Sequence, residues 1–239
     1  MINPIEIIYP KCCPGCDEPL SLKDYSKGFC RKCAGGLAFT GDFVCVKCGR
    51  PLRDETREFC PDCDKGLHYF NQHKAVYVYD GVMKPAMYRF KYSNKRAYAR
   101  IFAGHAALKY RKWLKQIEPE AIVAVPMYKD KKKKRGYNQA QAFAGALSKA
   151  TGIPCASKLI TRYRDTAPMK NVDNSTRKYN LQNAFKIRNN GVKFNKILVV
   201  DDIYTSGSTM DGVGQVLKTA GVDKIYCLSV CIGDNTREV

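Results

Sequence analysis

Acidic side chains are scarce in this chain of 239 residues: 22 Asp and Glu stand against 41 Lys and Arg, a formal charge of +19. That imbalance favours a polyanionic partner, either nucleic acid or a phosphorylated ligand. Long apolar runs are also missing. The longest are short stretches such as Ile197–Val200, far below the ~20 residues a helix needs to cross a bilayer. The first residues lack the basic-then-apolar order of a secretory leader, so a cytoplasmic chain with no membrane span is the expectation. Bulky apolar residues are few over residues 12–63, which denies that segment a core of its own. No G-x-x-x-x-G-K-[ST] occurs, which argues against an ordinary nucleoside triphosphatase.

Cysteine is abundant instead. Nine of the 12 cysteines lie before residue 64, in four Cys-x-x-Cys pairs. In an intracellular chain such pairs read as metal ligands rather than disulfides. The segment is an internal duplication. Cys13-x-x-Cys16-x-x-Pro19-Leu20 recurs as Cys45-x-x-Cys48-x-x-Pro51-Leu52, and Phe29-Cys30-x-x-Cys33 recurs as Phe59-Cys60-x-x-Cys63. Each copy offers four thiolates, which suits tetrahedral Zn²⁺, and the metal must supply the folding energy that the missing core cannot. Sequential pairing gives Cys13, Cys16, Cys30 and Cys33 one structural zinc, and Cys45, Cys48, Cys60 and Cys63 another. Swapped pairing, Cys12 in place of Cys13, and iron–sulfur binding stay open. His68 and His73 are expected at the surface. Cys155, Cys227 and Cys231 are expected as core thiols.

After Cys63 the pattern becomes that of an α/β domain. Strands are expected at Ala75–Asp80, Ala121–Pro126, Lys196–Val200 and Ile225–Ile232. Helices are expected near 82–91, 95–117, 138–150 and 209–220. In the second helix, Ile101, Phe102, His105, Ala106 and Leu108 fall at roughly helical spacing. Strands alternating with helices predict a parallel sheet with helices on both faces. The division is a cysteine-rich zinc ribbon over residues 1–70 and an α/β domain over 71–239. Residues 162–183 are polar and aperiodic and read as a long functional loop.

The chemistry concentrates in Lys196–Thr209, KILVVDDIYTSGST. An apolar strand runs into two acids, then a turn of small hydroxylic residues, then a helix. Ligands of such sheets bind at the carboxyl ends of the strands. Gly207 can take a conformation closed to other residues. The hydroxyls of Thr205, Ser206, Ser208 and Thr209, together with the positive end of the helix, form a phosphate cradle. Asp201 and Asp202 beside a phosphate would repel it unless ribose hydroxyls and Mg²⁺ intervene. A sugar phosphate with a metal is the ligand this local chemistry asks for.

VVDDIYTSGST resembles the phosphoribosyl pyrophosphate signature of type I phosphoribosyltransferases. The wider chain resembles the ComF family of competence-associated proteins, through several short stretches. These are Tyr79-Asp80-Gly81, Phe90-Lys91-Tyr92, Val125-Pro126, Arg135-Gly136-Tyr137-Asn138-Gln139, Arg164-Asp165-Thr166-Ala167-Pro168, Arg177-x-x-Asn180, Ala184-Phe185 and the double zinc ribbon. One departure is Met169, where the family often has Gln. The resemblance implies that Asp201 and Asp202 bind the ribose hydroxyls, directly or through Mg²⁺. It implies that Thr205–Thr209 hold the 5′-phosphate, that Val125–Lys129 border the pyrophosphate, and that the 162–180 loop closes over it. Arg164 and Lys170 are then the cations for the leaving group, with Arg135 a further contributor.

The run Lys129, Lys131–Lys134 and Arg135 reads as a basic loop for pyrophosphate or for a DNA backbone without sequence preference. Three functions follow. One is a phosphoribosyltransferase in DNA uptake. A second is an accessory module that binds single-stranded DNA and competence-machinery proteins. The third is a nucleobase salvage enzyme, to which Tyr204 and the region before Lys91 could contribute a base-recognition surface.

Overall fold

A computed structural model describes residues 10–66, 68–163, 184–188 and 193–233. Two short helices, α1 (Arg31–Gly35) and α2 (Pro61–Lys65), each start at a zinc-ribbon cysteine, Cys30 and Cys60 respectively. The remainder follows the order β1 (Gln72–Val78), α3 (Met83–Tyr92), α4 (Tyr98–Lys109), α5 (Arg111–Ile117), β2 (Ala121–Ala124), α6 (Lys129–Arg135) and α7 (Gln139–Thr151). Then come β3 (Ile160–Arg162), β4 (Phe185–Ile187), β5 (Lys196–Tyr204), α8 (Ser208–Thr219) and β6 (Lys224–Ile232).

The sheet is parallel, in the order β1-β6-β5-β2. Its central strands are apolar on both faces, as covered parallel strands must be: Ile197, Leu198, Val199 and Val200 are all 0% exposed. Helices α4 and α7 pack on each other and on the sheet, while α8 packs on β6 and β4. The register places the site. Val200 pairs with Ala124, the last residue of β2, so Asp201 and Asp202 run on beyond that strand. Val125 donates its N–H to Val200 O at 2.9 Å, which holds the turn after β2 beside them.

Several boundaries differ from those the sequence suggested. The helix expected over 95–117 breaks at Tyr110, because the Tyr110 hydroxyl is drawn inward to donate to Ala75 O in β1. Leu108 is consequently 78% exposed rather than part of an apolar face. Glu118 then ends α5 in the left-handed region, φ 46°. The basic run is a helix, α6, and not a loop. The two acids belong to β5 itself, which extends to Tyr204. Arg162, assigned to the long loop, lies in β3, and Tyr163 N–H donates to Ala184 O at 3.0 Å, so an antiparallel pair clamps both ends of the intervening segment.

His73 is 0% exposed and His68 has only 10% of its side chain exposed, against the expectation of surface histidines. Their partners are distant in sequence, Ser229 for His73 and Asp211 for His68, so no local pattern announces the burial. Cys227 and Cys231 are buried, whereas Cys155 is only half-buried. Among the described residues no helix is long and apolar enough to cross a membrane.

Candidate functional site: two cysteine clusters and a phosphate loop

Each ribbon closes on one cluster. The sulfurs of Cys13, Cys16, Cys30 and Cys33, and those of Cys45, Cys48, Cys60 and Cys63, lie within 4.8 Å of one another in each set. Cys16 and Cys30 are 3.8 Å apart, and Cys48 and Cys60 3.7 Å. A tetrahedron with Zn–S bonds of ~2.3 Å has an edge of about 3.8 Å, so the donor set fits zinc without rearrangement. Pairing is sequential within each repeat. Cys12 stays outside, with its thiol turned to Pro10 O. Crowding of four thiols also drives their proton affinities apart. Cys45 is pulled down by its neighbours, Cys48 foremost, while Cys63 is pushed up, Cys45 foremost. A bound cation resolves that conflict by taking all four as thiolates.

The repeat is imperfect at one instructive position. Gly49 follows the second knuckle at φ +71°, and its counterpart after the first knuckle is Asp17 at φ +67°. A left-handed non-glycine costs ~1–2 kcal/mol. Here the side chain is held by Lys95 Nζ at 2.7 Å and by the Tyr98 hydroxyl. Burial raises the Asp17 pKa, but these two donors outweigh it and hold the carboxyl below its usual value. Arg89 adds bonds to Pro14 O (3.2 Å) and Gly15 O (2.8 Å). The first ribbon is thus anchored to α3 and α4.

The loop Thr205–Gly207 joins β5 to α8. Gly207 lies at φ +80°, and a Cβ there would run into the Tyr204 hydroxyl and come within 3.2 Å of His68 Cε1. Only glycine fits both constraints. Thr205 and Ser206 are exposed, and Ser206 Oγ and Ser208 Oγ are 2.9 Å apart. The α8 N-terminus has no side-chain cap. Among the described residues, no acceptor meets the N–H groups of Ser206, Gly207, Ser208 or Thr209. A ring of free donors at the positive end of a helix suits a dianionic phosphate.

Asp201 and Asp202 stand immediately upstream. Asp202 N–H donates to Asp201 Oδ1 at 2.8 Å, and Lys91 Nζ lies 3.4 Å from Asp202 Oδ2. Burial, reinforced by the neighbouring Asp202 charge, pushes Asp201 up to about 8, with Lys91 and Arg162 opposing. Two partly desolvated carboxylate groups, one of them reluctant to ionise alone, form a hard-oxygen donor set that suits Mg²⁺.

Arg135 is not brought to the loop. Its guanidinium stacks over Tyr92, 5.0 Å from the ring centroid, and donates to the Tyr92 hydroxyl (3.3 Å) and Gln139 Oε1 (3.4 Å). Tyr204 is 3% exposed and stacks on His73, which removes it as a base platform. Arg164 and Lys170 lie outside the described residues, as do Met169, Arg177 and Asn180. Sequence reasoning assigned no role to Lys91, Arg50 or Asp211. Lys91 stood inside a quoted motif, but its approach to Asp202 depends on how α3 packs beside β5.

Comparison with known proteins agrees with this division. A double zinc ribbon domain matches residues 5–64, and a phosphoribosyl transferase domain matches residues 138–238. The chain is therefore a pair of zinc ribbons joined to a phosphoribosyltransferase-type α/β domain. It is similar to Competence protein F of Haemophilus influenzae, 29% identical over 217 residues that cover 82% of this chain and 93% of that one. DNA utilization protein YhgH of Escherichia coli is 27% identical over 225 residues, 93% of this chain and 97% of the relative. Competence protein ComFC of Bacillus subtilis is 25% identical over 201 residues, 80% and 78%. The ComF resemblance read from the sequence stands over most of the chain.

Proposed function

We propose that the chain is a phosphoribosyltransferase that binds phosphoribosyl pyrophosphate with Mg²⁺ and serves in the uptake or use of DNA. The observation that carries the reading is the open ring of N–H groups at the start of α8, directly downstream of a desolvated acid pair. The loop residues Thr205–Thr209 hold the 5′-phosphate. Asp201 and Asp202 turn their oxygens to the ribose hydroxyls, and Lys91 balances their charge. The turn at Val125–Lys129 borders the pyrophosphate. Arg164 and Lys170 are assigned, on chemistry alone, to neutralising that leaving group. Asp201 and Asp202 are the residues that would hold Mg²⁺, which would supply charge neutralisation for the leaving group. The DNA role rests on the names of the relatives, two of which are competence proteins and one a DNA utilization protein.

Calorimetry with phosphoribosyl pyrophosphate and Mg²⁺ tests the reading. The wild type should bind, and the Asp201→Ala/Asp202→Ala double variant should not. Absence of binding by the wild type sinks it.

A second reading, contact with single-stranded DNA, is favoured by one surface. Tyr88 and Tyr92 are 63% and 57% exposed, with ring centroids 5.0 Å apart. Arg135 lies over Tyr92 at the end of α6, where Lys129, Lys132, Lys133 and Lys134 are exposed. Exposed rings beside a cationic stripe suit unpaired bases and their phosphates. Binding of an oligonucleotide should weaken steeply with salt and should survive the double Asp variant. Salt-independent binding would contradict this account.

A further inference from the structure

The two ribbons are not equivalent. The first is tied to α3 and α4, whereas the second is tied to the phosphate loop, by three separate contacts. Arg50, two residues after Cys48, has only 8% of its side chain exposed. Its Nη1 donates to Asp62 Oδ2 (2.6 Å), between Cys60 and Cys63, and its Nη2 donates to Thr205 O (2.9 Å), in the first residue of the loop. His68 lies with Nε2 3.5 Å from Cys63 Sγ and donates from Nδ1 to Asp211 Oδ2 at 2.8 Å. Asp211 sits in the first turn of α8, takes a second bond from Tyr69 N–H at 3.0 Å, and donates its own N–H to Gly207 O at 2.8 Å. His73 donates from Nδ1 to Cys48 O (2.6 Å) and stacks 4.1 Å from Tyr204, the ring against Gly207.

We infer that Arg50 and His68 are positioning residues through which the second metal cluster fixes the geometry of the phosphate loop. Buried Arg50 Nε has no partner among the described residues, while the rest of the guanidinium spans from Asp62, between two ligands of the cluster, to the loop. Zinc held by four thiolates has a net charge of about −2, and the buried guanidinium is the counter-charge beside it. The same guanidinium then reaches the loop. Outer-shell partners of this kind orient a metal's ligands. Here they carry that order a step further, to Thr205 and Gly207. Two tetracysteine sites with different neighbours therefore have different duties, one holding the helices and one shaping the ligand cradle.

The inference rests on the reading that this loop binds a sugar phosphate, and the test separates the two. Both zincs are replaced by ¹¹³Cd in the full chain, giving two tetrathiolate resonances, and phosphoribosyl pyrophosphate with Mg²⁺ is added. Only the second cluster's resonance should shift, and the shift should vanish in Arg50→Ala and His68→Ala, which should also bind the ligand about 10- to 100-fold more weakly. Calorimetric binding with both resonances unmoved overturns the inference and leaves the proposed function intact. Should the wild type bind nothing, hydrogen exchange of the ligand-free protein decides. The first hydrogen-bonded amides of α8, 211–214, should exchange at least about fivefold faster in either variant while two metals remain bound, and those in α4 should not change. Unchanged exchange at 211–214 overturns the inference on its own.

Discussion

Replacing Asp201 by Asn should make the ligand-free protein more stable and abolish its affinity for phosphoribosyl pyrophosphate. Asp201 has an ordinary value of 3.8 and is pushed up to about 8 by burial and by the charge of Asp202. A carboxyl whose folded pKa is raised holds more protons folded than unfolded across the whole interval between the two values. Stability therefore falls as pH rises from about 4 towards 8. At 1.36 kcal/mol per unit, the ceiling on this cost at pH 7 is about 4 kcal/mol. The carboxyl is partly exposed and near Lys91, so about 1–2 kcal/mol is the expected gain for Asn, which keeps the Oδ1 that accepts Asp202 N–H. In a chain of this size that raises Tm by about 2–8 °C. The gain should shrink at pH 5, where wild-type Asp201 is already protonated and resembles the amide. With phosphoribosyl pyrophosphate and Mg²⁺ at 100 times Kd, linkage adds about 2.7 kcal/mol to the wild type alone, and the order of stabilities reverses. Calorimetric melts at the two pH values, with and without ligand, provide the assay. An Asn variant no more stable than wild type at pH 7, or equally shifted at both pH values, would refute the account of Asp201 as a desolvated, ligand-awaiting acid.

Gly207→Ala should cost about 1–3 kcal/mol, because φ +80° and the neighbouring Tyr204 hydroxyl both exclude a Cβ. Denaturant titration measures the loss, and phosphate affinity should disappear with it. Metal analysis should find two zincs per chain. Cys12→Ser should leave two and Cys13→Ser should leave one, since only Cys13 stands in the cluster. Glu118→Gly should stabilise by about 0.5–1 kcal/mol in the same titration, by relieving φ 46° at the end of α5. The exposed Glu118 gives up only a 3.7 Å contact with Lys196.

The parts of the site written as short, continuous patterns were legible in the sequence. Cys-x-x-Cys spacing and the duplication gave two zinc clusters, and the structure decides the pairing that the sequence left open, sequential and with Cys13 rather than Cys12. The run from Ile197 to Thr209 gave the strand, the acids and the small hydroxylic turn into a helix, because chain order alone brings those groups together. What stayed hidden depends on packing between distant segments. His68 meets Asp211 across 143 residues, Arg50 meets Thr205 across 155, and His73 meets Ser229 across 156. A histidine or arginine after a zinc knuckle looks like surface until the partner's position is known. The helix break at Tyr110 escaped for a similar reason, since local propensity favours continuation and only the acceptor at Ala75 O opposes it. The basic run was read as a loop because its charge suggested solvent, although lysine is a good helix former.

The free side of β1 leads to a last consequence. The chain between the ribbons and the first knuckle of the second ribbon lie along that side: Thr40 N–H donates to Val76 O (3.1 Å), Val78 N–H to Ala38 O (2.8 Å), and His73 N–H to Lys47 O (2.8 Å). The metal-folded head is thus the cover that keeps the outermost strand from pairing with another molecule. Stripping the zinc would uncover a ready template for self-association, so loss of the metal should be accompanied by aggregation.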